Sequence, residues 1–403
     1  MLPILFALTT ASWGQVPAPE VHNQHPIALV GGFSSWGREE LLSAKYWGGL
    51  GRDIQEDLKQ AGHETVTPAV APFSSNWDRA CELYAILKGG RVDYGKAHSE
   101  RFGHARYGRT YGAMLKDWGE SDGSGHLRKV HLVAHSQGGQ TSRMVTQLLA
   151  EGDATERTAT PAEELSPLFQ GGHPWVMSVT SLATPHNGTT MTWMEKPITE
   201  PAQALIAYIA SLLSTKDFIY DVKLDQWGLQ QKQGESLKDY LSRISDSPLG
   251  KSQDFGPWDL SPEGAAEINA WVRALPQVYY FSWSTEKTWQ DWWGHAHPWV
   301  TMNAMLWPSS EFMGHVTQTS GKPKVNASWF PNDGVVNTIS MAGSFQDTIQ
   351  PYEGHAQPGH WNDMGTLDGW DHLDVIGWGL QHGGEILPFY RELANILSAL
   401  DDE

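Results

Sequence analysis

Ala134-His135-Ser136-Gln137-Gly138 sets a serine between small residues two positions away on either side. The apolar run 130–134 precedes it, and Met144, Val145, Leu148 and Leu149 follow on one helical face. A buried strand that turns sharply into a helix needs small residues at those two positions, because larger side chains would strike the neighbouring strand or helix. Such a turn holds the Ser136 hydroxyl out at the top of a sheet, ready to attack a carbonyl carbon. The plain alternative is a Ser-Gly-rich strand-to-helix turn without chemistry. The oxyanion left by attack needs two N–H donors. Gln137, at the helix N-terminus, offers one. The loop Gly31-Gly32-Phe33 offers the other through the Phe33 N–H.

A serine of this kind needs a general base and an acid that orients it, in the chain order Ser, Asp or Glu, His. His355, His360, His372 and His382 compete for the base. Trp370-Asp371-His372-Leu373-Asp374 is the best context, a polar cluster leading into Val375-Ile376, with His360 in reserve. Asp371 is a poor orienter, since adjacent side chains seldom face each other. Asp333 is better placed, in an Asn332-Asp333-Gly334 turn just before Val335-Val336. On residue type alone Asp333 is equally a plain turn-former.

These residues need a scaffold. Short apolar runs at 27–30, 65–70, 130–134, 175–183 and 278–283 read as strands buried on both faces. Helical patterns at 39–60, 137–150 and 386–400 alternate with them, which indicates a parallel, doubly wound sheet. Residues 74–120 read as an aromatic insertion with short helices, and 285–331 as mostly loop. Residues 22–403 are expected to form one catalytic domain, with insertions at 72–120 and about 186–275.

The 403 residues are 40% hydrophobic and 18% charged, which excludes a disordered chain. Acidic residues outnumber basic ones 46 to 28, so nucleic acid and anionic membranes are poor partners. Twenty Trp suit cores, interfaces and sugar platforms, with core and loop packing the ordinary reading. Cys81 is the one cysteine, so no intrachain disulfide forms. The apolar stretch at the start, ending in small residues, reads as a secretory signal over 1–19 and implies an extracellular protein. No later stretch reaches transmembrane length. The sequence sets no oligomeric state.

Longer stretches carry a resemblance: GGFSSWGREE, KYWGG, SSNWDRACE, VDYGKAH, GHARYGRTY, AHSQGGQT, SPLFQGGHPW, ATPHNGTT, KLDQWGL, NDGVVNT, and WNDMGT through DHLDVIG. From about residue 26 to 395 the chain resembles the secreted thermostable lipases of Bacillus and Geobacillus type and the related staphylococcal lipases. The resemblance implies the α/β-hydrolase fold, with Ser136, Asp333 and His372 as the triad and Phe33 and Gln137 as oxyanion donors. Gly31 departs from the His that the bacterial enzymes carry there, which leaves the setting of the oxyanion loop open.

Asp78, His98 and His104 lie in the aromatic insertion, with Gly103 between the two histidines. On spacing alone they read as solvated loop residues. The resemblance implies a structural zinc held by Asp78, His98, His104 and Asp225, tying two insertions together. For calcium it implies Asp374 with the carbonyls of about Gly294 and Leu380. A second carboxylate position falls on Gly379, and the loss of an anionic oxygen weakens a hard-cation site. His295 and His297 read as loop or strand residues.

Residues 202–213 (AQALIAYIASLL) are apolar all round, as in a core helix or a cover for something apolar. The resemblance makes this segment a lid, which favours long-chain acylglycerols at an oil–water interface over small soluble esters. The expected activity is therefore that of a triacylglycerol lipase. A short-chain carboxylesterase or lipid acyltransferase shares the same triad. A non-catalytic lipid-binding protein would keep the elbow only as a turn. No paired carboxylates stand in a glycosidase context.

Overall fold

The computed structural model describes residues 24–41, 44–194, 220–320, 323–379 and 381–401. The expected signal segment and the apolar segment 202–213 lie outside these residues. The strands are β1 (Ile27–Val30), β2 (Thr65–Val66), β3 (Gly90–Asp93), β4 (Tyr107–Tyr111), β5 (Val130–His135), β6 (Val176–Leu182), β7 (Tyr279–Glu286), β8 (Thr288–Gln290), β9 (Ala296–Pro298), β10 (Ile349–Pro351) and β11 (Trp361–Asp368). Seven of them form one sheet in the order β10-β11-β7-β6-β5-β1-β2. Every pairing in it is parallel. β3–β4 and β8–β9 are separate antiparallel pairs.

The sheet is covered on both faces, so β5 and β6 are buried along their whole length, their polar members such as His131, Ser178 and Thr180 included. Successive side chains of a strand point to opposite faces. Ile27 and Leu29 enter one core with Val133, Leu182 and Phe281. Ala28 and Val30 enter the other with Leu132, Val179 and Tyr280. The helices that position the site are α1 (Ile54–Gln60), α2 (Asn76–Lys88), α3 (Lys96–Phe102) and α4 (Gln137–Glu151). The C-terminal helix Ile386–Ser398 closes the first core through Ile386, Tyr390, Leu393 and Leu397.

Three expectations change. The helix expected over 39–60 is only α1, which starts where the Asp53 carboxylate accepts the Glu56 N–H. Before it the chain turns repeatedly, with Gly48 and Gly49 at φ +127° and +68°, values a right-handed helix does not admit. The run 65–70 pairs only as β2. The expected loop 285–331 contains β8, β9 and the helix Trp307–Met313. β10 and β11 had no apolar run to announce them. Only Trp361 and Asn362 of β11 are buried, because the rest of the strand lies toward the sheet edge.

Candidate active site

Ser136 follows β5 directly, in a left-handed conformation (φ +57°, ψ −132°) that ordinary residues avoid. The glycines after it explain the tightness of the turn. A Cβ on Gly138 would lie 2.3 Å from the Val30 carbonyl oxygen, and one on Gly139 2.2 Å from Thr184 Oγ1. On the far side, a Cβ on Gly32 would lie 2.6 Å from Ser136 Cβ. The glycine loop after β1 thus lies against the serine. The N–H groups of Phe33 and Gln137 meet no backbone acceptor among the described residues. Arg79, buried on α2, holds this loop by donating to the Gly31 and Ala71 carbonyls.

Gly31 has its own reason. A Cβ there would stand 2.6 Å from Ser35 Cβ and 3.2 Å from Tyr46 Cε1. The Tyr46 hydroxyl accepts the Gly32 N–H at 2.9 Å and donates to His135 Nδ1 at 2.7 Å. This side chain occupies the space beside the loop, so the departure at Gly31 goes with a tightly held loop.

His372 lies in the loop after β11, and Asp333 in the loop beyond β7. The His372 Nδ1–H donates to Asp333 Oδ2 at 2.8 Å. Thr285 on β7 donates to the same oxygen at 2.7 Å. Asp333 Oδ1 accepts the Val335 and Val336 N–H groups at 2.9 and 2.8 Å. Asp333 is thus both a turn-former and the partner of His372. Its carboxylate is fully buried and fixed by four donors in all. The competing His360 is bonded to the Pro358 carbonyl, and His382 to Glu385.

A second cluster lies in the insertion. Ser75 caps α2 and accepts the Asp78 N–H at 3.2 Å, which fixes Asp78 in the first turn. α3 carries His98 and ends at Gly103, whose left-handed φ of +80° folds His104 back beside His98. The fourth side chain is Asp254, brought in by the bridge between Ser74 and Phe255. His98 Nε2 lies 3.4 Å from Asp78 Oδ1 and 3.2 Å from Asp254 Oδ1, and His104 Nε2 lies 3.2 Å from Asp254 Oδ2. Asp78 Oδ1, His98 Nε2, His104 Nε2 and Asp254 Oδ2 are buried and lack hydrogen-bond partners among the described residues. Four converging orphaned donor atoms fit a bound cation.

The electrostatics agree. Burial, then Asp254, raises the Asp78 carboxyl. Against the opposing effect of burial, His104 and His98 hold Asp254 well below the usual carboxylate range. Burial likewise opposes charge on His98, yet Asp254 and Asp78 bring its imidazolium up to about 9. A dication would replace those protons and leave the centre neutral.

Asp225 is not part of this cluster. Its carboxylate pairs with Arg109 Nε and accepts Gln230 Nε2 at 2.6 Å. The neighbouring Gln226 makes the link instead, donating to Asp78 Oδ2 at 2.8 Å. The two insertions are therefore joined at this centre twice, through Asp254 among the four donors and through Gln226 behind Asp78.

The calcium reading does not fit. The buried Lys287 Nζ donates to Asp374 Oδ2 at 2.8 Å and lies 3.4 Å from Asp371 Oδ2. An ammonium on the chain therefore already neutralises this carboxylate, and only Asp374 Oδ1 is left without a hydrogen-bond partner among the described residues. A Cβ on Gly379 would fall 1.4 Å from Asp374 Oδ1, so that glycine makes room for Asp374. Gly294 is in the turn between β8 and β9, and Leu380 lies outside the described residues.

The comparisons agree with this architecture. The chain is 36% identical over 361 residues to a lipase of Staphylococcus epidermidis, covering 88% of this chain and 50% of that protein. It spans about half the length of such curated relatives. Among solved structures it superimposes on EstA from Clostridium botulinum (44% identity, TM-score 0.87, 94% of this chain and 88% of that one). It superimposes equally on lipase 1 from Pelosinus fermentans (46% identity, TM-score 0.87, 94% and 100%). With residues 23–402 matched by the family model described as "Lipase-like, C-terminal domain", the chain belongs to that lipase family and has its α/β-hydrolase fold.

Proposed function

We propose that this protein is a secreted triacylglycerol lipase that cleaves carboxylic esters of long-chain acylglycerols through a serine acyl-enzyme. The observations that support the reading are the strained Ser136 turn at the end of β5 and a His372 ring that is held by buried Asp333 and lies 4.5 Å from the ring of His135, the residue before the serine. The relatives named lipases support a lipid ester as the substrate, and the apolar 202–213 segment favours long acyl chains. The leader-like residues 1–19 support secretion.

The Nδ1–H bond to Asp333 sets the His372 tautomer, so Nε2 carries the lone pair. In this mechanism Nε2 removes the Ser136 Oγ proton as the oxygen bonds to the ester carbonyl carbon. Phe33 and Gln137 N–H groups meet the oxyanion. The imidazolium gives its proton to the leaving alcohol as the C–O bond breaks. Water, deprotonated by the same nitrogen, then attacks the acyl-serine and releases the fatty acid.

Asp78, His98, His104 and Asp254 would hold zinc, whose nitrogen and oxygen preferences suit that set. The ion would cross-link α2, α3 and the 254 loop, a structural contribution apart from the reaction.

An alkyl fluorophosphonate followed by peptide mass spectrometry tests the assignment. Labelling on Ser136, abolished in His372→Ala, is the expected result, and labelling elsewhere would contradict it. A rate profile over acyl length then separates lipase from short-chain esterase.

A further inference from the structure

We propose that His297, Glu311 and His315 form a second divalent transition-metal site, on the surface, that ties the β8–β9 pair to the helix Trp307–Met313. Donor atoms from the three residues all lie within 4.8 Å of one another. They share no element with the Asp78 cluster.

The orientation of the two histidines carries the argument. His315 Nδ1–H donates to the Glu311 carbonyl oxygen at 2.8 Å, so its Nε2 carries the lone pair. That Nε2 faces Glu311 Oε1 at 3.9 Å. His297 has the reverse arrangement. Its Nε2 faces Asp291 Oδ2 at 3.4 Å, and its Nδ1–H donates to the Glu311 carboxylate, 3.1 and 3.0 Å from the two oxygens, so a metal ion bound at Nδ1 would take the place of that proton. Asp291 is itself fixed, since its other oxygen accepts the Trp293 and His295 N–H groups at 2.9 Å each. Each histidine therefore has an oxygen acceptor behind it and a nitrogen presented to one shared carboxylate. Metal-ligating histidines are built in this way, with the rear N–H bond fixing the tautomer and ring plane. The His295 ring stacks on His315 at 4.4 Å and 25°, which fixes that plane further.

Donors around a tetrahedral zinc, at about 2.0–2.1 Å from the ion, stand roughly 3.3 Å apart. The closing movement needed is small, and it falls on side chains that are between 23% and 51% exposed. Two imidazoles and one carboxylate leave a coordination position for water, so the ion would exchange with solvent, unlike one in the buried cluster. Bound there, it would restrain the turn that carries Trp292 and Trp293, which are 96% and 80% exposed.

The test is a zinc count on the full chain after equilibration with micromolar zinc and removal of free ion by desalting under the same buffer. The wild type should hold one zinc per chain more than His297→Ala/His315→Ala. His98→Ala should still lose one equivalent when the surface pair is removed from it. Zinc should slow hydrogen exchange of residues 288–298 several-fold in the wild type and leave the double variant unchanged. Glu311→Gln, which preserves shape, should behave like the double variant. Equal zinc content in the wild type and the folded double variant would overturn the proposal, as would exchange in 288–298 that does not respond to zinc.

Discussion

His135 holds the backbone of His372: its Nε2–H donates to the His372 carbonyl oxygen at 3.0 Å, and the two rings lie 4.5 Å apart. A carbonyl only accepts, so this bond fixes the His135 tautomer and leaves Nδ1 to accept from Tyr46. Burial, then the neighbouring His372, pushes the His135 imidazole far below its ordinary range and keeps it neutral. One hydrogen-bond chain therefore runs from the Gly32 N–H through Tyr46 and His135 to His372. It connects the glycine loop after β1 to His372 through the residue preceding Ser136.

Tyr46→Phe removes the middle of that chain. It leaves the buried Gly32 N–H and His135 Nδ1 unpartnered, at about 1–3 kcal/mol for each group. The account predicts a lower Tm and a kcat on soluble esters reduced between about tenfold and a hundredfold, from small misplacement of the reacting groups. KM should change less. A variant with wild-type kcat would show that the chain does not position the site.

Replacing each acid near the insertion tests the metal ligands directly. Asp254→Ala and His98→Ala should lose tightly bound zinc and melt well below the wild type. Asp225→Ala should keep its zinc and lose only the ion pair with Arg109 and the Gln230 hydrogen bond. Metal analysis of the three purified variants checks this. Zinc loss on Asp225→Ala with retention on Asp254→Ala would reverse the assignment.

Lys287→Met leaves Asp371 and Asp374 buried without their cation. Breaking such a pair from one side costs about 3–5 kcal/mol. The loop so loosened carries His372, so activity should fall together with stability. Calcium should not raise the Tm of the wild type, because the ammonium already holds the carboxylates. A rise of several degrees on adding calcium would contradict this reading.

Glu82 gives the fold a pH dependence. Burial is the main cause that raises its carboxyl from 4.5 to about 7, even though it accepts the Ala71 N–H and the Tyr94 hydroxyl. The folded state thus holds a proton that the unfolded chain gives up earlier. The resulting stability is fully present below about 4.5 and is lost as pH rises through about 7. The difference amounts to roughly 3 kcal/mol. Glu82→Gln should therefore flatten the fall in stability over that interval in denaturant titrations. An unchanged slope would mean that Glu82 is ionised in the fold.

The parts of the site that were legible in the sequence are the ones made by neighbours in the chain. The Ser136 turn is a five-residue steric requirement, and the strands at 130–135 and 176–182 are rich in apolar residues because both faces are covered. His98 and His104 share a locally built turn through Gly103. Asp254 was hidden, since it meets Asp78 only through a bridge between segments far apart in the chain. Asp225, named only through the resemblance, lies next to Gln226, the residue of that stretch that does reach the centre. Lys287 was hidden for a similar reason. A buried lysine at the end of a strand reads as a solvated charge until Asp371 and Asp374 fold over it. β11 was invisible because a strand near the sheet edge needs no apolar run.

The most direct measurement of the central claim is pH-stat release of fatty acid from a long-chain triacylglycerol emulsion, with Ser136→Ala alongside. The account predicts rapid release by the wild type and at least about a thousandfold less by the folded variant. Comparable release by both proteins, or none by the folded, zinc-loaded wild type, would contradict it.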